Sequence, residues 1–157
     1  MDEQLAAELN AAIRQLGRSH RFATGWVLDQ VGLSLGQEMV LLTLAEHEPR
    51  TMSELAGAAA CEAPTMTSAV RRLEGAGLVS RAPDPADRRA TLVTLTERGR
   101  QLLAPLQQGL GSLAESAVSQ LSPDEVVPAV DLLQRLAAGL APPPGTCGPG
   151  TCSTDPS

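Results

Sequence analysis

The chain has 157 residues and a formal charge of −6, with 12 basic residues, all of them arginine, against 18 acids. That length supports one domain with a real core plus helical extensions, and no apolar run approaches the roughly 20 residues that span a bilayer. The acidic start MDEQLAAELN is unlike a secretory leader, and three cysteines, two of them near the C-terminus, do not make a disulfide framework, so the expected location is the cytoplasm.

The first predicted helix runs from about Leu5 to Val31. Leu5, Leu9, Ile13, Leu16, His20 and Val27 follow one stripe at helical spacing. Phe22 and Trp26, the only Phe and Trp in a chain without Tyr, sit four apart on another face. Two apolar faces predict a helix buried on two sides, between its own domain and a partner chain. Leu33-Ser34 opens the second helix, with Ser34 as N-cap. Its apolar face includes Met39, Val40, Leu41, Leu42 and Leu44, and Pro49 ends it near His47. Ser53 is predicted to cap a short helix from Glu54 to Ala60. After a break at Cys61-Glu62, Pro64 suits the first turn of a further helix, where its missing N–H costs nothing. That helix reaches Gly75 or Ala76, and Gly77 is its natural terminator.

Leu78 to Arg81 and Thr91 to Leu95 alternate as the strands of a hairpin, joined by Ala82 to Ala90. Thr96 caps a helix to about Leu121, and Ser122-Pro123-Asp124-Glu125 opens the last one, which ends near Leu140. Pro128 predicts a late start to that helix or a bend in its first turns. Residues 142–157, PPPGTCGPGTCSTDPS, lack the apolar content for a core and are expected to be disordered. The expected fold is mainly α with a small β-hairpin wing.

Charge is unevenly spread over these elements. Residues 1–49 carry three arginines against seven acids, and residues 101–157 one against five, whereas residues 63–100 carry seven against four. Attraction to phosphate needs positive charge of this local kind. The complete absence of lysine reads as GC-rich coding composition, so functional weight falls only on particular arginines.

At 100° per residue, Met66, Val70 and Leu73 share one side of the Pro64 helix. Pro64, Thr67, Ser68 and Arg71 lie opposite, with Thr65 and Arg72 at the edge. Small hydroxyl residues let a helix backbone enter a major groove, and Arg71 can reach guanine or a phosphate; the plain alternative is a solvated polar face. In the loop Asp84-Pro85-Ala86-Asp87-Arg88-Arg89, two adjacent arginines repel one another and have no packing purpose. They suit a tip entering a narrow, electronegative minor groove, and Asp87 can hold a neighbouring guanidinium. The alternative is a charged turn that discourages edge aggregation.

PTMTSAVRRLEGAGLVSR followed by DPADRRATLVTLTERGR resembles the signature of the MarR (multiple antibiotic resistance regulator) transcription factors, over about residues 5–140. The resemblance implies a winged helix-turn-helix plus a helical dimerisation domain. Pro64, Thr65, Thr67, Ser68 and Arg71 would form the recognition helix, Arg89 the minor-groove arginine, and Asp87 the acid that orients it. Ser53, Arg72 and Arg88 complete the expected DNA-contacting set. Many members carry arginine where this chain has Ser68, which shifts base reading toward Arg71, DNA shape and the wing. The implied organisation is an N-terminal dimerisation helix at 1–32, a DNA-binding lobe at 33–97, C-terminal dimerisation helices at 98–141 and a tail at 142–157. A symmetric dimer of such lobes would bind a pseudo-palindromic double-stranded operator with half-sites about 10 bp apart.

The family typically senses small phenolic or amphipathic molecules in a crevice between the dimerisation helices and the lobe. His20, Arg21, Phe22 and Trp26 are the distinctive residues near such a place, although His20 also reads as a core residue and the aromatics as packing. Cys61, just before the recognition helix, and Cys147 and Cys152 in the tail are the candidates for a thiol switch. Dispersed histidines and the lack of HxxxH or CxxC argue against a metal. No nucleophile–base pair or phosphate loop suggests an enzyme or a cofactor. The expected function is a ligand-responsive homodimeric regulator, most often a repressor. The alternatives are a redox-sensing regulator of the same fold and a winged-helix protein-interaction module that does not bind DNA.

Overall fold

The computed structural model describes residues 1–59 and 61–140. Helix α1 spans Glu3–Val31. Asp2 caps it by accepting the Leu5 N–H at 2.7 Å, and Gly32, at φ +69°, ends it in the left-handed conformation. Helix α2 is Leu35–Glu46, opened by Ser34, whose N–H donates to Gln37 Oε1 at 2.9 Å. Strand β1 is Arg50–Thr51, α3 Met52–Ala58, α4 Ala63–Gly75, β2 Val79–Pro83, β3 Thr91–Leu95, α5 Glu97–Ala117 and α6 Pro123–Leu140.

The sheet has three antiparallel strands in the order β1-β3-β2 rather than a lone hairpin. β1 is too short to show alternation in sequence. It exists because Arg50 and Thr51 pair with Val93 and Leu92. The same segment corrects the cap of α3. Thr51, not Ser53, is the N-cap, because Glu54 three residues on closes a capping box: the Thr51 N–H donates to Glu54 Oε2 at 2.7 Å, and the Glu54 N–H to Thr51 Oγ1 at 3.2 Å. Ser53 sits exposed inside the first turn, and the expected end of this helix at Ala60 lies outside the described residues.

Leu28, Val40, Leu41, Leu44, Leu55, Met66, Val70, Leu73, Val79, Val93 and Leu106 are buried in one core. Met39, expected on the inner face of α2, is instead exposed. Val40, Leu41 and Leu44 already fill the side that α2 turns to the core, and Met39 falls roughly opposite at 100° per residue. In α1 only Thr24 and Leu28 are buried, while Leu5, Leu9, Leu16 and His20 of the expected stripe are exposed. A 29-residue helix is about 43 Å long, and the lobe covers only its C-terminal part.

The chain divides into two compact units, Met1–Leu113 and one beginning at Ala114. Leu28 of α1 and Leu106 of α5 share the lobe's core, which ties both long helices into the first unit. The crossing of α1 and α5 is close: a Cβ on Gly109 would lie 2.6 Å from Val27 Cγ1. Thr96 opens α5 as expected, its Oγ1 accepting the Gly99 N–H at 3.0 Å. α5 stops at Ala117, before Leu121, in a turn closed by the Leu121 N–H on Val118 O at 2.9 Å.

In the second unit, Ser122 N–H and Oγ donate to Glu125 Oε2 at 2.9 and 2.8 Å and start α6. The helix then continues through Pro128 instead of beginning after it. The expected tail at 142–157 lies outside the described residues.

Candidate nucleic-acid interface

α4 is placed by its apolar side. Met66, Ala69, Val70 and Leu73 are buried against α2 and α3, which leaves Pro64, Thr65, Ser68, Arg71 and Arg72 exposed along the other face. Glu62 is the N-cap and Pro64 lies in the first turn, as its fixed φ favours. Thr67 is half-buried, and its Oγ1 donates to Ala63 O at 2.8 Å. That commits the hydroxyl proton within the helix, so Thr67 offers an incoming group only acceptor lone pairs.

A shallow concavity follows α4 along Pro64, Thr67, Ser68, Arg71 and Arg72. A second lies between α4 and the start of α2, lined by Ser34 and Gly36 as well as Thr65, Ser68 and Arg72. Ser34 and Gly36 were invisible as site residues in the sequence, because only tertiary packing brings the α2 N-terminus beside α4.

The wing is the β2–β3 hairpin, with Val79 opposite Leu95 and Pro83 opposite Thr91. Its tip is shaped by the two aspartates. The Ala86 N–H donates to Asp84 Oδ1 at 2.8 Å and the Arg89 N–H to Asp87 Oδ1 at 2.9 Å, both side-chain-closed turns. Asp84 N–H on Ala90 O, at 3.1 Å, and Ala90 N–H on Asp87 O, at 2.9 Å, complete it. Asp87 therefore holds the Arg89 backbone in this structure, and forms no ion pair with either guanidinium among the described residues. Arg88 and Arg89 are exposed.

The arginines of the basic segment divide by partner. Arg81 pairs with Glu74 at 2.6 Å and Arg100 with Glu48 at 2.5 Å. Arg71 and Arg72 on α4 and Arg88 and Arg89 on the wing make no ion pair among the described residues. Arg98, exposed in the first turn of α5, makes none either, so among the described residues the uncompensated charge of this segment lies on the exposed face of α4, on the hairpin tip and at Arg98.

His20, Arg21, Phe22 and Trp26 are all exposed, Phe22 by 73% and Trp26 by 65%; Phe22 and Trp26 share one face of α1, while His20 and Arg21 lie on other sides of it. His20 acts on a polar group of α2. Burial pushes the Glu38 carboxyl of α2 up from its ordinary range, and the charge of His20 pulls it back. One turn beyond His20, Thr24 is 1% exposed and its Oγ1 has no hydrogen-bond partner. Two polar features therefore stand out on α1: the charge interaction of His20 with Glu38 of α2 and the buried Thr24 hydroxyl without a partner. Thr24 carried a sequence signal, lying four residues after His20 on one helix face; Glu38 carried none.

Cys61 is half-buried against the core, outside the first turn of α4, while Cys147 and Cys152 lie outside the described residues. Among the described residues no group of side chains is arranged to hold a metal ion, and no helix is long and apolar enough to cross a membrane.

This architecture matches known proteins. The MarR family model matches residues 33–91, which run from the start of α2 through the wing. The HTH-type transcriptional repressor NicR of Pseudomonas putida is 34% identical over 100 residues, covering 64% of this chain and 63% of NicR, just under two thirds of its length. An HTH-type transcriptional regulator of Mycobacterium tuberculosis is 35% identical over 102 residues, covering 65% of this chain and 68% of the relative. The solved structure of the transcriptional repressor CouR bound to a 23-mer DNA duplex superposes with a TM-score of 0.78 at 25% identity, covering 86% of this chain and 96% of CouR. With the winged helix, the basic tip and these relatives in agreement, the chain belongs to the MarR family of transcriptional regulators.

Proposed function

We propose that the protein is a homodimeric transcriptional repressor that binds a pseudo-palindromic operator through α4 and the wing, and releases it when a small effector binds. The observation that carries the DNA-reading half is the placement of Arg71, Arg72, Arg88 and Arg89, exposed and unpaired among the described residues, in a chain whose net charge is −6. Small residues at Thr65 and Ser68 allow the α4 backbone close to base edges. Arg88 and Arg89, on a tip whose backbone Asp84 and Asp87 fix, suit the minor groove. NicR and CouR are named as repressors, and CouR was solved on DNA.

Homodimerisation is supported by the exposed apolar residues Leu5, Leu9 and Leu16 of α1 and Val127, Val130, Leu132 and Leu133 of α6, more than a soluble monomer usually leaves in contact with water. An effector site on α1 is supported by the buried Thr24 hydroxyl without a partner, since such an atom is a place for an incoming polar group, and by the charge interaction of His20 with Glu38. Phe22 and Trp26 are available on α1 to a ligand or to the second protomer.

The test is an electrophoretic shift with the DNA upstream of the protein's own gene, across a salt titration, with light scattering for mass. The expected result is a dimer whose affinity falls steeply as salt rises. A monomer, or a chain that shifts no DNA at low salt, would refute the proposal in favour of a protein-interaction module.

A further inference from the structure

α4 and the wing must be held at a fixed mutual angle if both are to reach one duplex, yet the connection between them is short. α4 ends at Gly75, Gly77 turns the chain at φ +71°, and β2 begins at Val79. The base of the hairpin is well secured. The Leu78 N–H donates to Leu73 O at 2.9 Å, the Thr96 N–H to Leu78 O at 3.0 Å, and Thr96 Oγ1 to Gly77 O at 2.7 Å. Beyond the base the hairpin stands free on one side. Val79 is buried, but the rest of β2, from Ser80 to Pro83, is exposed, and the β1 pairing reaches only Val93 and Leu92 on β3.

One side-chain link spans this gap. Glu74, in the last turn of α4, receives both Arg81 Nε at 2.9 Å and the terminal nitrogen of Arg81 at 2.6 Å on its Oε2. Arg81 is the third residue of β2 and is raised in pKa by the Glu74 bond and charge. A pair this exposed adds little to folding stability, and the backbone bonds at the base do not need it.

We propose that Glu74 and Arg81 are positioning residues for DNA reading: a strut that sets the wing's angle to α4 and so couples Arg89 to Arg71. The inference rests on the DNA-binding reading above. Removing the strut leaves the fold intact and lets the hairpin swing about Gly77, so the tip and the helix no longer arrive at their grooves together.

The probe is a duplex selected by the wild-type protein from a randomised library, and the readouts are affinity, melting temperature and hydroxyl-radical footprint. Glu74→Gln is expected to weaken binding about fivefold or more, of the order seen for coupled neighbouring residues, with little change in melting. It should also remove protection at the wing's minor groove while keeping protection at α4. In the Glu74→Gln background, Arg89→Ala should lose much less than in the wild type. The exchange Glu74→Arg with Arg81→Glu should recover most of the affinity, and this reversed pair together with Arg81→Gln keeps the test open if Glu74→Gln folds poorly. Affinity equal to or above wild type in Glu74→Gln, or an unchanged Arg89→Ala penalty, would overturn the strut while leaving DNA binding standing. A wild-type protein that selects no duplex at all would overturn both.

Discussion

Glu48 and Arg100, 52 positions apart in the chain, meet at 2.5 Å, and the second oxygen of Glu48 accepts the Leu95 N–H at 2.8 Å. One carboxylate thus fastens the segment after α2 both to the end of the wing strand β3 and to the first turn of α5. Partial burial pushes the Glu48 pKa up, but the bonds from Leu95 and Arg100 and the charge of Arg100 outweigh it, and the carboxyl titrates below its ordinary 4.5. A lowered folded pKa contributes stability that is complete above the ordinary value and disappears as pH falls through the folded one.

Glu48→Ala is therefore expected to lower stability at neutral pH by about 1–3 kcal/mol, since it orphans a backbone donor and an arginine together. The difference in melting temperature between wild type and variant should shrink as pH drops below the ordinary carboxylate range. Thermal melts across pH, followed by circular dichroism, measure this. A difference that stays constant down to the acid limit would remove Glu48 from the account.

Gly99 reverses the usual glycine rule. Alanine in place of a helical glycine normally stabilises by roughly 0.5–1 kcal/mol, but a Cβ at Gly99 would run into the Leu78 carbonyl oxygen, a backbone atom. Gly57 in α3 has open space around the same position. Gly99→Ala should lower stability by about 1–3 kcal/mol, the range for overpacking, and Gly57→Ala should be neutral or slightly stabilising. Denaturant titration compares them; shifts in the same direction would contradict the close approach of α5 to the Leu78 carbonyl just before β2.

With serine at position 68, Arg71 is the main side chain on α4 able to fork onto a guanine. Arg71→Ala is expected to cost about 1–3 kcal/mol on a selected duplex and much less on a scrambled one. Arg72→Ala, at the edge of the face, should weaken both alike, as loss of a phosphate contact does. Competition binding with the two duplexes gives the ratio. If Arg71→Ala leaves the ratio unchanged, specificity resides in DNA shape and the wing.

The buried side of α4, the hairpin strands and the cap at Thr96 were legible in the sequence, because periodicity and turn chemistry are local signals. Features set by tertiary packing were not. β1 exists only by pairing with β3, Met39 turned outward because its neighbours had filled the core side, and the Glu48–Arg100 link joins residues that no window contains. Asp87 was recognised as important, but its carboxylate holds the Arg89 backbone, an Asx turn that competes for the same oxygens as an ion pair would. At the α1–α2 junction His20 stood out by type, whereas Glu38 matters only through its burial beside it.

The central claim is that the wing tip and α4 together bind DNA, and Arg89 tests it most directly. Affinity of Arg89→Ala and wild type for the same duplex, at matched salt and with melting curves for both, is the deciding measurement. The account predicts a loss of more than about tenfold, within the range of specific groove contacts, with unchanged melting. Equal affinity in the two proteins would contradict it.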